Sequence, residues 1–189
     1  MNPSELSLLE RLDAILRRNA IRSQIQPIVS RVRANLAQKQ KAVMAWEPIP
    51  LTIFGNALAP ALRSSWVFIL RAGANTGAER HPNSHQRMMS FEGTGDLQVG
   101  HGLQSTWQSN ILVSDLEKPL ERRWISIPQN IWHQPVVPEG GDWVVVSFHT
   151  VPAEELIEER PDAAETGRTR QRRYLTREAK GVPNQAKQV

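Results

Sequence analysis

The stretch ERHPNSH at residues 79–85 sets Glu79, His81 and His85 close together and holds two of the chain's five histidines. Neutral imidazoles and a carboxylate suit a borderline divalent ion such as Fe(II), Mn, Ni, Cu or Zn. The backbone decides whether they can share one. A helix would put His81 and His85 on one face, but Pro82 and Asn83 between them oppose a helix. In one flat strand the two rings would stand roughly 13 Å apart, too far for one ion. A tight turn over residues 82–84 resolves the geometry: Glu79 and His81 leave one strand, His85 enters the next, and all three face inward. Alternation then sends Arg87, Met89 and Phe91 toward the same interior. A guanidinium there needs an anion, either a substrate carboxylate or phosphate or a structural acid. His133, in IPQNIWHQP, is the natural further ligand, at the start of a strand after a turn bracketed by Pro128 and Asn130. Three imidazoles and one carboxylate leave positions open for water or substrate, as catalytic ions do. Taken singly, each residue equally suits a polar loop or a satisfied core histidine. The set and its spacing carry the metal reading.

The elements that must position these residues are mostly strands. WVFIL, HQRMMSF, LQV, NILV, WISI and WVVVSF are short apolar or alternating runs. AGANTG, EGTG, SDLEKP, PQN and PEGG separate them as turn signals. So many short strands with little helix between them predict an antiparallel sandwich or barrel over residues 46–155. His149 stands in register with Trp143, Val145 and Ser147 and lines the mouth of such a barrel, whereas His101 reads as a surface residue near a hairpin turn. Residues 1–45 read as a helical appendage. Leu8, Leu9, Leu12, Ile15 and Leu16 form one stripe, with Ser7 and Glu10 suited to a capping box. Ile25, Ile28, Val29, Val32 and Leu36 form another, with Pro27 in its first turn. Both stripes must be buried on the following domain or on a second copy. Over residues 156–189 the sequence predicts a short helix at AEELIEER, then a basic, flexible tail containing the sole tyrosine, Tyr174. Removing residues 161–189 would then barely change thermal stability.

The pI of 10.0 invites a nucleic-acid reading, but the charge sits at the ends. Residues 1–42 carry eight bases and three acids, +5, and residues 160–189 the same, whereas residues 43–159 carry seven bases and thirteen acids, −6. The working domain is acidic, so no nucleic-acid partner is expected. No apolar run reaches the roughly 20 residues that span a bilayer, and the N-terminus has no signal-like basic start, so a cytoplasmic protein is expected. The absence of cysteine removes thiolate nucleophiles and thiolate metal sites.

The order of strand, glycine, histidine loop, strand and second proline-turn-histidine block resembles the cupin superfamily. Its first motif is written G-x5-H-x-H-x3,4-E-x6-G and its second G-x5-P-x-G-x2-H-x3-N. Gly73 and Gly93 bracket the first on this chain, with Glu79 and His81 at the histidine positions and His85 at that of the glutamate. Acid and imidazole are thus exchanged, and the inventory is kept. Pro128, Asn130 and His133 match the second motif, Asn130 standing for a left-handed glycine. The resemblance covers roughly residues 60–150. It implies a mainly β, double-stranded β-helix (jelly-roll barrel), here with two N-terminal α-helices and a flexible C-terminal tail. It also implies a divalent transition metal at its centre, held by Glu79, His81, His85 and His133. An oxygenase-type enzyme acting on a small, anionic organic compound oriented by Arg87 is the leading expectation, with a small-molecule partner and a homodimer. A non-catalytic ligand-binding or sensor cupin is the alternative. A metal-free isomerase needs a tyrosine acid beside a histidine, and Tyr174 in a tail does not supply one.

Overall fold

A computed structural model describes residues 2–100, 106–162 and 167–175 of the chain. Two helices come first. In α1 (Pro3–Leu16) Asn2 is the cap, its side chain accepting from the Glu5 N–H at 2.8 Å, so the helix starts ahead of the expected Ser7–Glu10 box. α2 spans Asn19–Gln38, which leaves Pro27 inside the helix rather than in its first turn. The strands are β1 (Met44–Pro48), β2 (Ser64–Leu70), β3 (Gln86–Glu92), β4 (Thr94–Gly100), β5 (Ile111–Val113), β6 (Trp124–Ile127), β7 (Trp132–Val136), β8 (Trp143–His149), β9 (Ile157–Pro161) and β10 (Thr169–Arg173). They form an antiparallel five-stranded sheet ordered β1-β2-β8-β3-β6, a three-stranded sheet β5-β4-β7, and the hairpin β9-β10. The mainly β, antiparallel fold class expected from the sequence is the one observed, with both N-terminal helices present.

The larger sheet is covered on both faces, which is why its central strands read as nearly unbroken apolar runs. On one face Trp66, Phe68, Met88, Trp143 and Val145 pack with Leu97 and Leu112 of the smaller sheet. On the other, Val67, Ile69, Met89, Phe91, Val144, Val146 and Phe148 pack beneath Leu9, Leu12, Ile25 and Val29 of the helices. The helical stripes are therefore buried on the chain's own sheet. Gly95 on β4 admits the Trp143 indole so closely that a Cβ would lie 2.1 Å from the ring. The Trp143 N–H donates to Ser90 Oγ at 2.9 Å.

This division of faces corrects the expected register. Gln86 and Met88 line the interior, so Arg87, Met89 and Phe91 point out toward the helices. A one-residue offset exchanges the two faces of a strand. The turn after His81 uses an odd step: Ser84, not His85, is the next inward residue, with its hydroxyl 3.2 Å from His149 Nδ1.

The C-terminal segment also differs from expectation. AEELIEER does not form a helix; its end is β9, and TRQRR pairs with it as β10 in register Arg170↔Arg160 and Arg172↔Glu158. Helix formers lose here because strand pairing and the Arg172–Glu158 ion pair outweigh local propensity. Tyr174 follows β10 into the interior and is 5% exposed. The remainder of the expected tail, residues 176–189, and His101 lie outside the described residues.

Candidate metal centre

Backbone pairing brings the two histidine segments together. Glu79 and His133 exchange both main-chain hydrogen bonds at 2.8 Å, and the Asn130 N–H donates to the His81 carbonyl at 3.2 Å. Asn130 has φ 64°, so the left-handed conformation expected of it is present. As a result Glu79, His81 and His133, all buried, each offer a ligand atom, and these atoms lie within 4.8 Å of one another.

The hydrogen bonds behind the imidazoles fix which nitrogen faces the cluster. His81 Nδ1 lies 2.9 Å from the Ile157 carbonyl, and His133 Nδ1 lies 3.1 Å from the Ile131 carbonyl. A carbonyl can only accept, so each Nδ1 carries a proton and donates it there. His133 Nε2 is buried without a hydrogen-bond partner and stands 3.5 Å from Glu79 Oε1. Burial, reinforced by the neighbouring His133, holds the His81 imidazole below its ordinary range and therefore neutral. Burial alone would raise the Glu79 carboxyl. His133, the Arg160 guanidinium and His81 outweigh it and hold the group at about 2. The cluster thus offers a carboxylate and two imidazole nitrogens, the donor types that borderline divalent ions take.

Two of the expected residues lie elsewhere. His85 Nε2 is 2.7 Å from Ser126 Oγ, and its Nδ1 is 3.1 Å from an Arg87 nitrogen, on the helix side of the sheet. Arg87 is paired there with Glu5 of α1 through two hydrogen bonds of 2.8 Å. Its anion is therefore a structural acid. The outward register of β3 removes both residues from the barrel interior.

Three other residues at the site were not expected there. Arg160 of β9 pairs with Glu79 Oε2, donates to the Thr76 carbonyl at 2.5 Å, and lies 2.5 Å from Glu158 Oε1. Arg172 also reaches Glu158, at 2.6 Å. Tyr174 packs edge-on to Trp46, with 5.3 Å between ring centroids, and lies 6.3 Å from the His81 ring. Burial, together with Glu158 and Glu79, pushes its phenol well above the usual range. A glutamate-bearing run and an arginine-rich run on either side of the Pro161 and Gly167 turn signals were the available clue to the hairpin. His149 lies inside as expected, its ring 5.1 Å from that of His81, and burial keeps it neutral. The tyrosine that a metal-free proton-transfer site would need therefore stands beside a histidine after all. The space left among Glu79, Gln86, His133, Trp143 and Tyr174 is about 20 Å³, room for about one water or ion.

Among the described residues no helix is long and apolar enough to cross a membrane. No family model and no curated protein matches the chain. Partial likeness is found to the capsular polysaccharide assembling protein CapF from Staphylococcus aureus: 15% identity and TM-score 0.45, over 57% of this chain and 28% of that one. An oxalate oxidase in complex with the substrate analogue glycolate is 13% identical with TM-score 0.43, over 58% of this chain and 52% of the other. BH2720 from Bacillus halodurans is 23% identical with TM-score 0.39, over 47% and 63%. The chain spans less than two thirds of the length of each of these three.

Proposed function

We propose that the chain is a metal-binding protein of cupin type in which Glu79, His81 and His133 hold a divalent transition ion, and that it acts as an oxygenase on a small organic compound. The observation that carries this is the convergence of three buried ligand atoms within 4.8 Å, one of them an imidazole nitrogen with no other partner. An unpaired buried polar atom costs about 1–3 kcal/mol, which an ion would relieve. With His85 outside the cluster, two imidazoles and one carboxylate remain. That set leaves open positions and suits non-haem Fe(II) oxygen chemistry, which the ion would supply. The chain's own residues orient and insulate: the Ile157 and Ile131 carbonyls fix the two imidazoles, Glu79 provides the negative charge, and the surrounding tryptophans keep out bulk water.

The small interior space supports a second reading, a non-catalytic ligand-binding or sensor protein. Oxygen uptake by iron-loaded protein, screened against small phenols and carboxylic acids, separates the two. Turnover that is lost in His133→Ala supports the oxygenase. Stoichiometric ion with ligand binding but no oxygen uptake contradicts it and leaves the binding protein.

A further inference from the structure

Tyr174 occupies the barrel interior in an unusual way. The strand that delivers it, TRQRR, is polar and largely exposed, and among the described residues β10 pairs with β9 alone. β9 is held to the body by the Arg80–Glu159 backbone bridge, by bonds of Ile157 to His81 and Asn83, and by Arg160 on Glu79 and the Thr76 carbonyl. The phenol ring itself lies in an aromatic box. Trp46 and Phe68 meet it edge-on, at interplanar angles of 82° and 72°, and Trp66 is tilted against it at 5.6 Å.

The polar atoms around the box are left unsatisfied. The indole N–H groups of Trp46 and Trp66, which wall the ring, are buried without acceptors. Gln86 Oε1 and His133 Nε2, on residues lining the adjoining cavity, are buried without partners as well. Native interiors rarely leave such groups unpaired, and two in the walls of the ring's box with two more in the adjoining cavity point to a ligand that Tyr174 replaces only in part. Edge-to-face contact favours an aromatic ring over a saturated one of the same size. Two spare N–H donors favour a ring bearing oxygen acceptors.

We infer that the box of Trp46, Trp66 and Phe68 beside His81 is a binding subsite for a phenolic ring, and that Tyr174 is its built-in occupant. This rests on the metal-centre reading for its chemistry, though not for its geometry. A phenolic ligand entering the box displaces Tyr174, engages the free indole donors and stands beside the ion-binding cluster. Tyr174 leaves with β10 alone, while β9 stays and its Ile157 carbonyl keeps its bond to His81.

The test titrates the full chain with 4-methylphenol, which is the tyrosine side chain as a free molecule. Tryptophan fluorescence and amide exchange of β9 and β10 are followed, with and without added Fe(II). Saturable quenching is expected in the wild type, accompanied by faster exchange in the hairpin. Tyr174→Ala, which lacks the internal competitor, is expected to bind at least tenfold more tightly, and Tyr174→Phe to bind like the wild type. Absence of binding in the wild type would show Tyr174 to be a permanent core residue and overturn the proposal, whether or not the alanine variant folds. Binding with unchanged hairpin exchange would place the probe elsewhere and overturn it too. Phenol binding without Fe(II) uptake would contradict the metal reading alone, and Fe(II) uptake without phenol binding would contradict this one alone.

Discussion

At the scale of single residues, the charged groups divide into two sets on opposite faces of β3. Inside, Glu79 belongs with His81 and His133; outside, Glu5 belongs with Arg87, Ser126 and His85. The Arg87 hydrogen bond lowers the Glu5 carboxyl against the opposing effect of burial, and with help from Ser126 holds it at about 2. A depressed carboxylate stabilises the fold fully above its unfolded value near 4.5 and loses that contribution as pH falls toward 2. Urea unfolding should therefore show Glu5→Gln about 1–3 kcal/mol less stable near neutrality, since Arg87 then keeps a buried charge without its acid. The gap between variant and wild type should narrow below about pH 4. A gap that stays constant to acid pH would mean that the pair contributes through packing alone.

At the scale of elements, α1 is fastened to the barrel by that pair and by Asp13. The Asp13 carboxylate takes both Arg123 and the Trp124 indole N–H, the latter at 2.9 Å. The loops and short strands hold the site. Gly95→Ala puts a methyl group into the Trp143 ring and should cost about 1–3 kcal/mol, read as a lowered midpoint in urea; a neutral substitution would mean that the indole moves freely. The hairpin gives a sharper expectation, opposite to the one drawn from composition. Truncation after residue 161 removes β10 and Tyr174, and should lower stability by about 3 kcal/mol, as loss of a buried aromatic does. An unchanged melting temperature would restore the view of a dispensable tail. The sequence misled here for a physical reason. Glu, Leu and Arg favour helices locally, and neither the cross-strand charge pairs nor the burial of one tyrosine leaves a periodic trace.

At the scale of the whole molecule, the strands and helices were legible because burial imposes period. WVFIL and WVVVSF read as strands, and the helix stripes as amphipathic faces, and the fold uses them so. The buried cluster was legible in part. Glu79, His81 and His133 could be expected to converge because turn chemistry at Pro82, Pro128 and Asn130 fixes where strands end. His85 and Arg87 were misplaced because a turn resets strand parity, and sequence alone does not reveal by how many residues. Arg160 and Tyr174 reach the same interior from the far end of the chain, which only the tertiary fold discloses.

The central claim is that Glu79, His81 and His133 bind an ion. Its most direct test is elemental analysis of protein purified without a histidine tag or chelator, beside the double variant His81→Ala/His133→Ala. Near-stoichiometric transition metal in the wild type, lost from a variant that keeps its β-rich circular dichroism, is the expected result. An empty wild type that takes up no metal on titration, or a variant whose metal content is unchanged, would contradict the account.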